Sequence, residues 1–358
     1  GLTFNAGTSQ FTLSGQNASI SSAGLTFYNV AFTGTTTSVN RTVTGANTNF
    51  NFSVAGHTSA GVTVISFSDT QTITGTLTLS AGTNATTRTF IRSSAIGATR
   101  SFVVNSFSAG STDIDFRDIA LTGAAAPLSG TRFGYCKGNS GITFGASVTR
   151  YWNLAAGGNW SATGWAATGG ASPAVNNFPL AQDVALFQST GLTSGSTITI
   201  NAAYNIGTID MSARTGNTMT LATGAQQPQI YGNWVNGTGT TLTGTGTLTF
   251  AGRNSQTITS AGRTFTQPIS INSPGGSVAL QDAFSCSAAT TALIINNGTF
   301  DANIYNATLS SGGVTVNTSD YAKSIGVGSG TFSIAGTTTN AWKISTDRKS
   351  TRLNSSHD

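Results

Sequence analysis

Apolar and polar side chains alternate along much of this chain. Residues 72–79 read Thr-Ile-Thr-Gly-Thr-Leu-Thr-Leu, which places Ile73, Leu77 and Leu79 on one face and four threonines on the other. Residues 241–250 repeat the pattern, with five threonines opposite two leucines and a phenylalanine. A two-residue period is typical of a strand with one buried face. Both stretches are therefore predicted to be strands that bury their apolar side and expose hydroxyl groups.

Short segments of the chain also resemble one another. GLTF occurs at 1–4 and 24–27, and ISSAGLTF at 20–27 matches ITSAGRTF at 258–265. Self-similar strands separated by Gly, Asn and Ser indicate a stack of repeated coils, since one coil cannot bury its inner face alone. We therefore predict an all-β chain folded as a right-handed parallel β-helix, a rod of roughly 70 Å at about 4.8 Å per coil. Tandem β-sandwich modules are the alternative.

The amino-acid composition excludes several classes of protein. Only 8% of the residues are charged, all eleven acids are Asp, and 38% of the chain is hydrophobic. The scarcity of good helix formers excludes a helical enzyme or a coiled coil, and the apolar content excludes disorder. The pI near 9.5 comes from dispersed cations, so nucleic acid is not an expected partner. The sequence contains no run of 18 apolar residues, so no membrane-spanning helix is predicted.

Changes in composition divide the chain into four parts. Residues 1–110 and 188–346 are Thr-rich β-repeat blocks. Between them, residues 111–187 hold a large share of the charges and three of the five tryptophans, and are predicted to be a junction module. Residues 347–358 lack alternation and look like translated adapter or vector sequence, so this tail is excluded as non-native.

The densest group of charges is the segment Asp113 to Asp118. On a strand, Asp113, Asp115 and Arg117 share a face. Such a face could bind Ca²⁺ through its carboxylates, or act on a polysaccharide by acid–base chemistry. The alternative is an Asp–Arg pair, either on a solvated face or buried at a block boundary. Calcium usually takes about six to eight oxygen ligands, which these residues do not supply.

Four aromatic residues follow closely in the junction module. Indole and phenol rings can stack on the apolar faces of sugars, so these residues are candidates for glycan binding. The alternative is a structural role, in which large rings cap the open end of a stack. The four residues are Tyr151, Trp152, Trp160 and Trp165.

The segment 150–187 resembles the Trp–Gly–Gly–Asn–Trp…Trp…Pro…Asp-Val…Phe modules of large repetitive phage and bacterial surface proteins. That resemblance implies an extended β-structure displayed on a cell surface or virion, as in tail fibres or autotransporter passengers, and brings no catalytic residues. Gln182 stands where the module often has a second acidic residue, which argues against a metal site at Asp183. The matching positions are Trp152, Gly157, Gly158, Asn159, Trp160, Trp165, Pro179, Asp183, Val184 and Phe187.

Few residues outside these groups offer chemistry. His57 is the only histidine before the tail and has no acid beside it, and there is no phosphate-binding or dinucleotide motif, so no cofactor is expected. Whether Cys136 and Cys286 pair is not decided by sequence. We therefore expect a non-enzymatic structural and adhesive protein, extracellular or on a virion, oligomeric or part of a longer fibre, that contacts a host surface or glycan. The alternatives are a polysaccharide-degrading β-helix enzyme and an ice-binding solenoid with Thr-x-Thr faces.

Overall fold

A computed structural model describes residues 3–108, 110–318, 321–336 and 341–345. This part of the chain is all-β apart from one short 3-10 turn, and its parallel strands form about 13 β-solenoid coils in two stacks. The predicted solenoid is confirmed. Within the same residues, no helix has the length and apolarity to cross a membrane. The predicted non-native tail at 347–358 lies outside the described residues.

The first stack contains β1 to β12. Its strands form two ladders, ordered β1-β3-β5-β7-β9-β11 and β2-β4-β6-β8-β10-β12. The strands are β1 (Gln10–Leu13), β2 (Ser19–Ser21), β3 (Thr26–Phe32), β4 (Asn40–Thr44), β5 (Thr48–Val54), β6 (Gly61–Phe67), β7 (Gln71–Leu79), β8 (Thr87–Ser93), β9 (Arg100–Phe107), β10 (Ile114–Arg117), β11 (Ile119–Thr122) and β12 (Gly134–Tyr135).

The second stack contains β13 to β34. Its first coil carries the turn η1 (Val175–Asn177), and the long strands β27 and β29 join ladders that are separate in earlier coils. The strands are β13 (Thr149–Trp152), β14 (Gly158–Asn159), β15 (Trp165–Ala166), β16 (Val184–Leu186), β17 (Ser196–Thr199), β18 (Asn205–Ile206), β19 (Thr208–Asp210), β20 (Met219–Ala222), β21 (Gln229–Ile230), β22 (Trp234–Val235), β23 (Thr240–Thr243), β24 (Leu248–Phe250), β25 (Ser255–Thr259), β26 (Thr264–Phe265), β27 (Ile269–Leu280), β28 (Phe284–Cys286), β29 (Thr291–Asp301), β30 (Ala307–Leu309), β31 (Gly313–Val316), β32 (Lys323–Gly326), β33 (Phe332–Ile334) and β34 (Trp342–Ile344).

Apolar side chains form columns inside each stack. Val30 pairs with Phe52, and Phe52 with Leu77, so residues from three successive coils lie above one another and are buried. Burying a side chain of this size stabilises the fold by roughly 1.5–3 kcal/mol. Ile73 and Leu79 point into the same core, which confirms the alternation predicted for residues 72–79.

The prediction of one strand over residues 241–250 is wrong. β23 ends at Thr243 and β24 begins at Leu248, and the two strands belong to different sheets. The chain turns a corner at Gly244, whose φ of 131° is open to glycine and rarely adopted by other residues. A Thr-Gly repeat keeps its period across a corner, so the sequence pattern does not reveal the bend.

The two stacks cross instead of forming one rod. The Tyr204 hydroxyl donates to the Thr86 carbonyl oxygen at one end of β8 (3.0 Å), and the Gly97 backbone beyond the other end lies against Pro274 and Tyr321. An early coil of the second stack thus contacts the start of β8, and later coils contact the chain beyond its end, as in crossed sheets. The prediction of a single rod of about 70 Å is therefore wrong.

The structure also divides the predicted junction module 111–187. β10, β11 and β12 continue the ladders of the first stack, and β13 begins those of the second. Residues 149–187 form the enlarged first coil of the second stack, because Thr149 pairs with Val184. The change of stack therefore falls between β12 and β13, within the charged and aromatic stretch.

Candidate functional site

The outer faces of β6, β8 and β10 are covered by the second stack, and we call their outward side chains the junction face. A solenoid normally turns this side to water, yet nearly every residue of these three strands is buried. Apolar outward residues explain part of the packing, since Val62 and Phe90 belong to the same hydrophobic cluster as the second stack's core. The junction face consists of Val62, Val64, Ser66, Arg88, Phe90, Arg92, Asp115 and Arg117.

Arg88 organises a compensated cluster of charges on the junction face. Its Nε and Nη2 donate to one oxygen of Asp115 at 2.9 and 2.6 Å, and its Nη1 lies 3.3 Å from Asp113. Arg132 pairs with Asp113 in turn. Burial alone would lower the pKa of Arg88, but the carboxylates of Asp115 and Asp113 outweigh it and raise that pKa. Two arginines thus balance two aspartates, and Asn205 of the second stack donates to Asp115 at 3.0 Å.

This arrangement corrects the ligand-binding interpretation of Asp113, Asp115 and Arg117. Asp115 and Arg117 share the outer face of β10 as predicted, whereas Asp113 precedes the strand. All three side chains are buried, and their charged atoms are taken up by arginine, aspartate and amide partners. The structure therefore favours a buried Asp–Arg pair at a block boundary over a face that binds calcium or a polysaccharide. In the described parts of the chain, no three Asp, His or Cys side chains come together as a metal ion would require.

A second group of charges on the junction face is not balanced. Arg92 and Arg117 lie opposite each other in register on β8 and β10. Asp118 accepts from Arg253 and lies 3.5 Å from the Nε of Arg117. Within the described residues, Arg92 has no ion pair, and its Nε donates to the Ser66 hydroxyl at 3.0 Å. Three guanidinium groups are therefore accompanied by one carboxylate, that of Asp118, which pairs with Arg117 and Arg253.

A groove opens beside this group, at the line where the two stacks meet, and we call it the junction groove. Its volume is about 300 Å³, and polar side chains from both stacks form most of its walls. Arg117 reaches across it, since its Nη1 donates to Gln229 of the second stack at 3.0 Å. The lining residues are Arg92, Ser94, Ile96, Arg117, Gln227, Gln229, Thr249 and Asn272.

The predicted sugar-binding tryptophans lie in the core of the second stack. Trp152, Trp160 and Trp165 are at most 1% exposed, and Trp165 packs at 4.7–5.4 Å between ring centroids against the other two and Phe187. The indole N–H of Trp165 donates to the Trp160 carbonyl oxygen at 2.9 Å. These rings cannot stack on a sugar in this fold. Tyr151 is half-buried beside them on β13.

The rings occupy the first coil of the second stack. β15, which carries Trp165, is the outermost strand of its sheet and runs antiparallel to β13. It covers the edge that a parallel ladder would otherwise leave open. This position is the one expected of an aromatic cap.

Gln182 and Asp183, singled out by the resemblance, have structural contacts. Gln182 bridges to the end of the first stack, because its Nε2 donates to the Phe133 carbonyl oxygen and its Oε1 accepts from the Tyr135 N–H, both at 2.9 Å. Asp183 accepts backbone N–H groups from Val148 and Leu180, while burial raises the pKa of its carboxyl. The side chain of Gln182 thus continues the last rung of the ladder across the change of stack.

Both cysteines and His57 are buried. Cys136 and Cys286 are free thiols, and burial raises the pKa of each, that of Cys286 to about 11. Burial lowers the pKa of His57, whose Nδ1 lies 2.8 Å from the Thr63 hydroxyl. A thiolate or an imidazole base at neutral pH needs the opposite environment, so none of the three is poised for nucleophilic chemistry.

Sequence reasoning missed Arg88, Arg92 and Gln229. A signal for the first two was present in Thr-Arg-Thr-Phe-Ile-Arg-Ser, where Phe90 interrupts the polar face of the strand and predicts a partner for that face. The contact with Gln229 joins residues more than a hundred positions apart and has no local signal. No family model, curated protein or solved structure matches the chain.

Proposed function

We propose that this protein is a non-enzymatic structural and adhesive β-solenoid that contacts glycans or a host surface outside a cell or on a virion. The observation that carries the proposal is the distribution of polar groups. Among the described residues, the ion pairs gather at the joint between the stacks, while the solvent-facing sides of the ladders carry hydroxyl groups in register. One such column consists of Ser255, Ser277, Thr299 and Ser324, which pair on successive coils.

A column of hydroxyl groups suits adhesion for two physical reasons. Hydroxyl groups both donate and accept hydrogen bonds, which matches the hydroxyl groups of a saccharide. The coils fix these groups at the strand spacing of about 4.8 Å, so little conformational entropy is lost when a ligand binds. The surface is therefore a regular, preorganised set of weak contacts.

The rival polysaccharide-degrading enzyme receives less support. Acid–base cleavage needs a carboxyl group within hydrogen-bond reach of the substrate. The carboxylates that sequence reasoning nominated, Asp113 and Asp115, are 2% and 0% exposed and are held by Arg88. These carboxylates stabilise the fold by pairing with Arg88 and are not available to a substrate.

Retention on immobilised polysaccharides, combined with an assay of their products, tests the proposal. We expect the full chain to be retained on at least one polysaccharide and to release neither new reducing ends nor unsaturated sugars. Release of either product would contradict the non-enzymatic assignment, and failure to bind any member of a broad glycan panel would contradict adhesion. Sedimentation tests the proposed self-association, which a strict monomer at high concentration would contradict.

Ice binding is a second candidate because of one sheet of the second stack. Thr197, Thr220 and Thr241 form a column in register on β17, β20 and β23, and Thr199 and Thr243 lie two positions along. Residues two apart on a strand are about 6.7 Å apart, so these hydroxyl and methyl groups form a small grid, in which Ala222 stands between Thr199 and Thr243.

Thermal hysteresis decides this candidate. We expect Thr220→Lys at the middle of the grid to abolish any hysteresis, whereas Thr308→Lys, on the matching outer row of another sheet, should retain it. Absence of hysteresis in the unmodified protein, or equal hysteresis in both variants, would contradict ice binding.

A further inference from the structure

Two arginines of the junction face lie closer together than their charges favour. Arg92 and Arg117 are opposite each other on neighbouring strands, and both guanidinium groups lie over the ring of Phe90, at 5.5 and 5.4 Å from its centroid. Like charges directly opposite on adjacent strands destabilise a sheet. A partner of opposite charge is therefore expected nearby.

The described residues around the pair do not supply enough negative charge. Asp118 is the carboxylate beside Arg117, and Arg253 shares it. Counting these four groups leaves a net charge of +2. Burial, and then the charge of Arg117, lowers the pKa of Arg92 to about 10, so the guanidinium still carries its proton at neutral pH. By contrast, Arg88 and Arg132 are matched by two aspartates on the same side of the stack.

The junction groove supplies space for the missing anion. Its volume of about 300 Å³ is at the lower end of the range for small-molecule sites, roughly 300–1,000 Å³. Arg92 and Arg117 stand on one wall, and Gln227, Gln229 and Thr249 stand on the other. The Oε1 of Gln229 accepts from Arg117 and from the Tyr231 hydroxyl, which leaves its amide nitrogen as a donor. One wall thus offers positive charge and the other offers neutral hydrogen-bonding groups.

We propose that the junction groove binds the anionic group of an acidic saccharide, with Arg92 as the guanidinium that pairs with it. A planar guanidinium binds a carboxylate or a sulfate through two parallel hydrogen bonds. The amides and the hydroxyl on the opposite wall suit the hydroxyl groups of the sugar ring. The choice of a saccharide rests on the proposed adhesive function, whereas the anion site rests on the charges and the groove alone.

Calorimetric titration of the full chain tests the inference with four probes. These are an oligogalacturonate, a sulfated oligosaccharide, a neutral oligosaccharide of the same length, and inorganic sulfate. We expect an acidic oligosaccharide to bind at least about tenfold more tightly than the neutral one, because hydrogen bonds between charged groups are roughly twice as strong as neutral ones. The difference should shrink with added salt, since salt screens charges. The uronate and sulfated arms identify which anionic group is preferred.

Arg92→Gln removes the proposed pairing group, and Arg100→Gln is the matched control. Arg100 lies on β9, in the other ladder of the first stack, and its loss changes the net charge equally. We expect Arg92→Gln to weaken acidic binding by at least about tenfold and Arg100→Gln to leave it unchanged. Gln229→Glu places a carboxylate beside Arg117 and should also weaken binding of the acidic probes. Because this variant balances the charges of the groove, the loss of binding would not come from a less stable fold. Circular dichroism of each variant establishes that it is folded.

The outcomes separate this inference from the proposed function. Equal binding of the acidic probes by Arg92→Gln and Arg100→Gln would overturn the groove as their site. Inorganic sulfate that binds as tightly as the oligosaccharides would overturn the saccharide assignment. If only neutral glycans bind, adhesion stands and the inference fails. If an acidic polymer binds in the groove and is cleaved, the inference stands and the non-enzymatic function fails.

Discussion

Arg88→Met should be among the most damaging single substitutions in this chain. The side chain is 1% exposed, and its five N–H groups donate to Asp115, Asp113 and backbone carbonyl oxygens, including that of Arg132 at 3.0 Å. Methionine fills similar space without charge. The variant therefore leaves Asp115 buried with the Asn205 amide as its remaining side-chain partner among the described residues.

The expected loss follows from the cost of an unpaired buried charge. Breaking a buried ion pair by removing one partner typically costs about 3–5 kcal/mol, because the remaining ion is neither solvated nor compensated. The whole free energy of unfolding of a domain is about 5–15 kcal/mol. We therefore expect Arg88→Met to remove a large fraction of the stability of the first stack.

Urea denaturation followed by tryptophan fluorescence measures the effect. Arg92→Met is the matched control, because Arg92 lies on the same face of β8 and has no ion pair in the described chain. It should cost less than about 1 kcal/mol, since relief of repulsion from Arg117 offsets lost contacts. In the double variant Arg88→Met/Asp115→Leu, most of the loss should be recovered, because an apolar pair can replace a buried ion pair at little cost.

Three results would refute this reasoning. Arg88→Met could cost less than about 1 kcal/mol, which would mean that water reaches Asp115. The effects of the Arg88 and Asp115 substitutions could be additive, which would mean that the two side chains are not coupled. Arg92→Met could be as damaging as Arg88→Met, which would mean that loss of packing and not of charge dominates on this face.

Three further predictions concern buried groups elsewhere. Trp165→Ala should cost about 3–5 kcal/mol in urea denaturation, whereas Tyr151→Ala on the neighbouring half-buried position should cost less, and equal losses would contradict the packing described for the cap. Because burial raises the pKa of Cys286 to about 11, the contribution of this thiol to the free energy of unfolding should hold below about pH 9 and fall by up to about 1.4 kcal/mol per pH unit between about pH 9 and 11. That fall should be smaller in Cys286→Ala, and labelling of native Cys286 by a thiol reagent at pH 8 would contradict its burial. Because burial lowers the pKa of His57, stability should hold above about pH 6.5 and fall as the pH drops below it, and thermal unfolding of His57→Gln should show a weaker acid dependence.

The sequence was sufficient to predict what is local and periodic. The two-residue period identified Ile73, Leu77 and Leu79 as core residues, and repetition between short strands identified a stack. These features follow from strand geometry and from the need of each coil to bury its inner face. The corner at Gly244 was missed because threonines at every second position continue on both sides of the bend, although the chain changes sheets there.

The site could not be predicted in the same way because it depends on a crossing of the two stacks. The charges of Asp113, Asp115 and Arg117 are visible in the sequence, and so is the aromatic density around Trp160. Their roles depend on whether these side chains are buried, and burial depends on contacts between residues far apart in the chain. Phe90 between two arginines was the local sign that the outer face of β8 has a partner.

The crossing explains why the junction face holds charges of two different kinds. When a polar face is covered, each charge on it must either pair with an opposite charge inside the protein or remain accessible through an opening. The reason is that a buried ion without a partner is costly. Arg88 meets the first condition through Asp113 and Asp115. Arg92, on the same face of the same strand, meets the second through the junction groove. The joint between the stacks therefore carries both the interactions that fix their crossing and an opening lined by two arginines, and a ligand bound there would contact both stacks.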